Sequence, residues 1–352
     1  MKAVVAMSGG VDSSVAAALL KEQGYEVIGV TMCLNVPDAH GRKPACCGTQ
    51  GIADAKRVSD ILGIPHYVLN FGKEMQEYVI DEFVREYSLG RTPNPCVTCN
   101  EFVKFEALLN KVSGLGADLL ATGHYARVVN SDGKFYLKKS ADNKKDQSYF
   151  LYRLTQDKLS RIVFPLGDHR KNEVRKIAKK LGLGVADKED SQEICFIPGS
   201  YGEFLRQRLG KQVAPGDIID QDGNKIGRHR GTVYYTIGQR EGLGLARGYP
   251  VYVSSIDAKK NIIRIGGKEC LMKKKFLVGN TVFPSGAVSA GEKFSVRIRH
   301  LAPEYAGEIT LRGQDCEVCL EEKVFAITPG QSAVFYKGDT VAGGGIIQEV
   351  YE

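Results

Sequence analysis

The chain has 352 residues, a formal net charge of +7, 43% hydrophobic and 25% charged residues, the balance of an ordinary soluble globular protein and not of a disordered or fibrous one. Its length predicts two or three domains. No apolar run approaches the roughly 20 residues of a membrane span. The chain enters an apolar strand at once, without signal or transit peptide, so a cytoplasmic protein with no membrane role is expected.

Ala3-Val4-Val5-Ala6-Met7 is a short, continuous apolar run, the pattern of a strand buried on both faces of a parallel sheet. Val15, Ala16, Ala17, Ala18, Leu19 and Leu20 then form a helical stretch that Ser13 or Ser14 can cap. Between strand and helix lies Ser8-Gly9-Gly10-Val11-Asp12-Ser13. Adjacent glycines allow a ligand close to the backbone, and the first N–H groups of the helix attract phosphate. Neither G-x-G-x-x-G nor G-x-x-x-x-G-K-[ST] is present, which excludes nicotinamide and P-loop readings. The pattern S-G-G-x-D-S resembles the loop of the ATP pyrophosphatase family, which holds the pyrophosphate released on adenylation.

Residues 26–32 read as a second parallel strand, 50–62 as a helix, 65–70 as a third strand, 74–87 as a charged helix and 118–124 as a strand running into a loop. Alternating strands and helices predict a doubly wound parallel sheet. From about residue 213 short strands separated by glycine turns take over, at 232–238, 249–254, 262–265, 294–299 and 334–336. The expected fold is α/β over residues 1–210, a small β-rich domain over 211–275, and a C-terminal β-barrel over 276–352. Basic groups at Lys138-Lys139, Lys144-Lys145, Arg228-His229-Arg230 and Lys273-Lys274-Lys275 suit nucleic acid.

Nine cysteines without an export signal point to thiol chemistry or metal binding, not to a disulfide framework. Cys96 and Cys99 stand before a helical stretch, 102–111, where the helix dipole is expected to lower a thiol pKa. The C-x-x-C spacing alone leaves open a redox pair, half of a metal site, or a catalytic cysteine with a neighbour. Cys316 and Cys319 alternate with Val318 and Leu320 like one face of a strand, which disfavours a zinc site shared with them. Cys195 is flanked by apolar residues and, taken alone, reads as core.

Seven motifs occur together and in order: residues 8–13; 94–100, Asn-Pro-Cys-Val-Thr-Cys-Asn; 121–127, Ala-Thr-Gly-His-Tyr-Ala-Arg; 145–151, Lys-Asp-Gln-Ser-Tyr-Phe-Leu; Ile194-Cys195-Phe196-Ile197; 235–240, Tyr-Thr-Ile-Gly-Gln-Arg; and 328–333, Thr-Pro-Gly-Gln-Ser-Ala. The set resembles the tRNA-specific 2-thiouridylase family over essentially the whole chain. The resemblance implies that Ala6, Met7, Ser8, Gly9, Gly10, Val11, Asp12 and Ser13 form the ATP loop, and that Met32 and Gly123 touch the nucleotide. It implies tRNA contacts at Asn94, Pro95, Cys96, His124, Lys145, Asp146, Gln147, Arg297, Ile298 and Gln331, and an active pair, Cys99 and Cys195. Some relatives carry aspartate where this chain has Cys96, and a thiol with an ordinary pKa of about 8.5 does not do that carboxylate's work.

The implied reaction is sulfuration of C2 of the wobble uridine. ATP with Mg²⁺ adenylates the base, releasing pyrophosphate, and Asp12 helps to hold the metal. Cys195 receives persulfide sulfur from a cysteine desulfurase or relay protein, that sulfur displaces AMP, and Cys99 completes transfer by attacking the persulfide or, alternatively, by releasing hydrosulfide first. A monomer is the simplest expectation. No resident metal is required; an iron–sulfur cluster on Cys96, Cys99 and Cys195 is the lesser alternative, lacking a fourth ligand. A small-molecule synthetase with an amine nucleophile and a non-enzymatic RNA-binding protein are the rival readings. The roles of Cys46 and Cys47 stay open, and Cys33, Cys270, Cys316 and Cys319 are expected to be structural.

Overall fold

The computed structural model describes residues 1–35, 48–189, 194–197, 199–245, 248–284, 286, 288 and 291–351, so Cys46 and Cys47 lie outside the described residues. Its first sheet grows from strands apolar on both faces. β1 (Lys2–Ala6) pairs in parallel with β2 (Glu26–Cys33) on one side and β4 (Leu119–Thr122) on the other. β3 (His66–Asn70) and β7 (Ile162–Val163) complete the order β3-β2-β1-β4-β7. Val4 packs into one core with Val30 and Leu120, whereas Ala3 and Val5 pack into another with Val15, Leu20 and Val58. Burial from both sides explains the absence of polar alternation in this strand.

Helices α1 (Val11–Glu22) and α2 (Gly48–Leu62) contribute to the second core. The first core receives α3, which runs from Gly72–Glu74 through a wide π stretch, Met75–Ile80, into Asp81–Ser88. It also receives α4, which begins at Pro95–Thr98, widens over Cys99–Leu108 and ends at Leu109–Ser113. α5 (Lys171–Lys180) returns to the second core through Val174 and Ala178. The chain winds outward from β1 to β3 and then recrosses to β4, so the topological switch point lies between the carboxyl ends of β1 and β4, where open α/β sheets bind ligands.

After α6 (Tyr201–Leu209) the middle sheet has the order β10-β11-β8-β9, from β8 (Gly216–Ile219), β9 (Lys225–His229), β10 (Tyr252–Asp257) and β11 (Ile262–Gly266). β12 (Met272–Val282), β13 (Glu292–Arg297), β14 (Tyr305–Arg312), β15 (Asp315–Phe325), β16 (Ser332–Lys337) and β17 (Thr340–Tyr351) form an antiparallel barrel closed by pairing of β12 with β17. Phe276, Val296, Val318, Phe335 and Ile347 fill it. Cys316, Val318 and Leu320 do share one buried face of β15.

The parallel sheet, β-rich middle and C-terminal barrel are as expected, with local differences. Residues 232–238 do not form a strand: a 3₁₀ turn occupies Thr232–Tyr234, and Gly238, at φ 87°, takes a left-handed conformation that interrupts extension. The expected strand at 249–254 begins only at Tyr252. A hairpin, β5 (Ala126–Ser131) and β6 (Lys134–Lys139), was not foreseen, because lysines break its apolar alternation. It extends the barrel sheet, with Lys138 opposite Thr340 of β17.

Candidate active site

The loop after β1 turns sharply at Gly9, whose φ is 72° and where an added Cβ would stand 2.2 Å from the Gly51 carbonyl oxygen. Gly10 caps α1 with extended backbone and no side-chain capping bond, leaving the helix start shaped for an anion. Ser13 Oγ accepts the Ser8 N–H at 3.2 Å and holds the loop closed. At the end of β4 a Cβ on Gly123 would come within 2.6 Å of Ser13 N, so only glycine lets this strand approach α1 so closely.

These approaches leave a cleft of about 220 Å³ between the two strand ends. Ala6, Met7, Ser8, Asp12, Ser13, Met32, Gly123, His124 and Gln147, all singled out in the sequence, line it. Lys104, Val30, Thr31 and Thr122 complete the lining, while Gly9, Gly10 and Val11 build the loop behind. Two larger hollows lie in the middle domain, away from the loop: one of about 660 Å³ around Arg240 and Tyr249, and one of about 590 Å³ around Asp220 and Ile265.

Cations gather at the loop from distant segments. Lys171 donates to both carboxylate oxygens of Asp12 at 2.8 Å, and the Tyr125 hydroxyl donates to the same group at 2.8 Å. Lys188 bridges the Gly9 carbonyl, at 3.0 Å, and Asp54, at 2.9 Å. Burial works to raise the Asp54 carboxyl, but its hydrogen bonds to Lys188, Arg57 and Gln50 prevail and hold it below the usual value. His124 packs between Phe105 and Phe164 and bonds Thr122 Oγ1 through Nδ1 at 2.7 Å. Burial, aided by Lys104, pushes its pKa well down, so the imidazole is neutral at pH 7.

Asn94 caps α4, its side chain accepting the Cys96 N–H at 3.2 Å, with Pro95 in the first turn. Both thiols do lie at a helix start, but the expected pKa lowering is reversed. Burial raises Cys99, which is 7% exposed, and the packed mass around Cys96 raises that surface thiol too; Lys104 opposes both shifts without overcoming them. Cys195 is exposed, on a turn anchored by Phe196 against Phe83 and Phe204 at 5.4 and 5.7 Å between ring centres. Neither Cys99 nor Cys195 is in a disulfide. Among the described residues no group of three His, Cys, Asp or Glu is placed to hold a metal ion.

Several residues expected to face tRNA are committed elsewhere. Asp146, 5% exposed, accepts the Ser140 and Ser148 N–H groups and pairs with Arg297 at 3.2 Å. Arg297 also pairs with Glu304 at 2.7 Å, and Ile298 is 2% exposed. Gln331 Nε2 donates to the Thr92 carbonyl at 2.8 Å, fastening the barrel to the segment before Asn94. As placed, Gln331 ties the barrel to Thr92 and Arg297 ties it to Asp146, because burial demands an internal partner for each polar group. Gln147 Oε1 accepts the Tyr125 N–H at 3.0 Å, and Lys145 stays partly exposed on the same turn. Sequence reasoning missed Lys104, Lys171, Lys188 and Tyr125. Only Lys104 carried a signal, its place four residues after Asn100 in the helix; the others meet the loop across long separations.

Residues 1–199 match the family described as tRNA methyl transferase HUP domain, residues 202–267 a tRNA methyl transferase PRC-barrel domain, and residues 273–347 an aminomethyltransferase beta-barrel domain. A relative from Clostridium acetobutylicum, named tRNA-specific 2-thiouridylase MnmA, is 47% identical over 352 residues, covering 99% of each chain. One of the same name from Geotalea uraniireducens is 48% identical over 356 residues, covering 99% of this chain and 95% of its own. Among solved structures, a 4-thiouridine synthetase–RNA complex with bound ATP is 18% identical with a TM-score of 0.35, over 59% of this chain and 50% of that one. An NMN synthetase from Francisella tularensis is 17% identical with a TM-score of 0.34, over 60% and 79%. With full-length identity to these relatives near one half, the chain belongs to the tRNA-specific 2-thiouridylase family.

Proposed function

We propose that the protein replaces the C2 oxygen of the wobble uridine of tRNA by sulfur, using ATP and a persulfide, and releases AMP and pyrophosphate. The observation that carries this reading is the convergence of the loop 8–13, Met32, Gly123 and Lys104 on one cleft, with Lys104 carried on α4, the helix whose first turns carry Cys96 and Cys99.

The uridine O2 attacks the α-phosphate and pyrophosphate departs into the N–H groups at the start of α1. Asp12 is the carboxylate of the cleft, its charge shared by Lys171; it would help to hold a Mg²⁺ ion brought with the nucleotide, which would neutralise the phosphates. The terminal sulfur of a Cys195 persulfide then attacks C2, and AMP leaves with the C2–O bond. Cys99, its proton lost to solvent, attacks Cys195 Sγ; the sulfur–sulfur bond breaks, its electron pair stays on the uridine sulfur, and a Cys99–Cys195 disulfide forms. A thiol reductant reopens it. The exposed Cys195 suits sulfur delivery by a cysteine desulfurase or relay protein, and the two sulfurs meet through movement of a segment as tRNA binds.

The anticodon uridine is single-stranded and turns out into the cleft at modest cost. Asn94, Pro95 and Cys96 meet the base, and Lys145 with the basic clusters holds the phosphates. Residues 1–210, 211–275 and 276–352 act as the catalytic, middle and tRNA-holding units of a cytoplasmic monomer. No helix among the described residues is long and apolar enough to cross a membrane.

Nucleoside mass spectrometry of a tRNA with a wobble uridine, after incubation with protein, Mg-ATP and a persulfide source, tests the proposal. The wild type is expected to form 2-thiouridine only with ATP, and Cys99→Ser and Cys195→Ser to form none. Absence of product from wild type, with pyrophosphate released instead on adding a small metabolite, would favour an amine-using synthetase.

A further inference from the structure

Two of the three lysines at the nucleotide loop have their charge answered by carboxylates, Lys171 by Asp12 at 2.8 Å and Lys188 by Asp54 at 2.9 Å. Lys104 is different. It lines the cleft and is half-buried, yet among the described residues no carboxylate lies within ion-pair distance of it. Its ammonium donates to Asn100 Oδ1 at 2.9 Å. Asn100 is 3% exposed and its own Nδ2 donates to the Phe150 carbonyl at 3.1 Å, so the amide cannot turn away. A neutral, pinned acceptor directs the ammonium without cancelling its charge.

Two places lie within reach of that charge. On the cleft side Lys104 shares the lining with His124, beside Gly123 and the loop; on the helix side Cys99 stands five residues before it on the wide π stretch of α4, about one turn away, and the charge opposes the rise that burial imposes on that thiol. A half-buried cation without a protein anion is costly unless a substrate or a reactive group supplies the counter-charge. Both are at hand in this reaction, and they arise at different times.

We propose that Lys104 serves both stages of the reaction, binding nucleotide phosphate in the cleft during adenylation and then standing as counter-ion to the Cys99 thiolate during sulfur transfer. This rests on the function proposed above. While ATP is bound, the ammonium is drawn to phosphate and Cys99 stays protonated. Once AMP has left, the same charge favours the thiolate that closes the disulfide. The order of the two steps is thereby built into one side chain.

The test combines two measurements on the full chain: the Kd of the non-hydrolysable α,β-methylene analogue of ATP, and the pH midpoint of Cys99 alkylation followed by peptide mass spectrometry with and without that analogue. Among the described residues the titratable groups that act on Cys99 are Lys104 and the neighbouring Cys96, so Cys96→Ser is the background for the alkylation arm. Lys104→Met is expected to weaken nucleotide binding about tenfold and to move the midpoint upward. In the Lys104 protein the analogue itself raises the midpoint; in Lys104→Met it leaves the midpoint unchanged. Lys104→Arg recovers both properties in part, since it keeps the charge but not the reach. If Lys104→Met does not fold, Asn100→Asp, which supplies the missing anion, is expected to weaken nucleotide binding instead. Wild-type nucleotide affinity in these variants, or a midpoint that ignores Lys104, would overturn the proposal. Loss of 2-thiouridine formation by the wild type would overturn the function and leave this binding result standing by itself.

Discussion

The segment around Cys99 is fixed at several points, while that around Cys195 rests on Phe196 and Ile197 beneath an exposed thiol. Asn94 caps the first, Gln331 clamps the residues before it to the barrel, Asn100 bonds Phe150, and the thiol is buried. In the second, Ile197 N–H closes a turn on the Ile194 carbonyl at 2.9 Å and Phe196, 1% exposed, plugs the core. On the function proposed above, the difference divides the labour: an outside protein meets the exposed Cys195, whereas the buried Cys99 reacts only with what the fold brings to it.

Removing the anchor should disturb this contrast most. Phe196→Ala is expected to cost about 3–5 kcal/mol in urea unfolding and to detach the Cys195 turn, with Cys99 still protected from alkylation in the folded protein. Unchanged stability would mean that the turn is held by something else. In the wild type, iodoacetamide should modify Cys195 roughly a hundredfold faster than Cys99, since the buried thiol must await local opening, and urea should abolish the difference. Equal native rates would end the division proposed above. Asn94→Ala, which deletes the cap, should cost about 1 kcal/mol and speed Cys99 alkylation a few-fold without affecting Cys195.

The smallest effect concerns pH. Burial raises the Cys99 pKa, so the folded state holds a proton that the unfolded state loses above its ordinary value of about 8.5. The stability this group contributes is complete below that value and falls as pH rises through the raised pKa. Cys99→Ala should therefore lose less stability than wild type between pH 8 and pH 10, as measured by thermal melts.

The first sheet was legible because strands buried on both faces leave unbroken apolar runs, and the loop 8–13 because its glycines have no alternative. The cleft lining contains nine of the residues chosen from the sequence, all but Gln147 at or close behind the ends of β1, β2 and β4. Less legible were features fixed by distant contacts. Burial outweighs the helix dipole at Cys99, and no local pattern reports how deeply a residue will lie. Asp146, Arg297 and Gln331 are polar residues in polar motifs, yet each is turned inward by a partner far along the chain. Lys171 and Lys188 reach the loop in the same way.

Among the described residues, the hairpin of β5 and β6 joins its sheet only through β17, where Lys138 meets Thr340. During synthesis these strands leave the ribosome long before their neighbour, and until β17 arrives β6 offers an unpaired edge to any other strand nearby. The closing strand must also complete the barrel, so this half of the molecule depends on pairings between residues far apart in the chain, the kind that form slowly. A chain cut short before residue 340 would leave the edge of β6 unpaired for good.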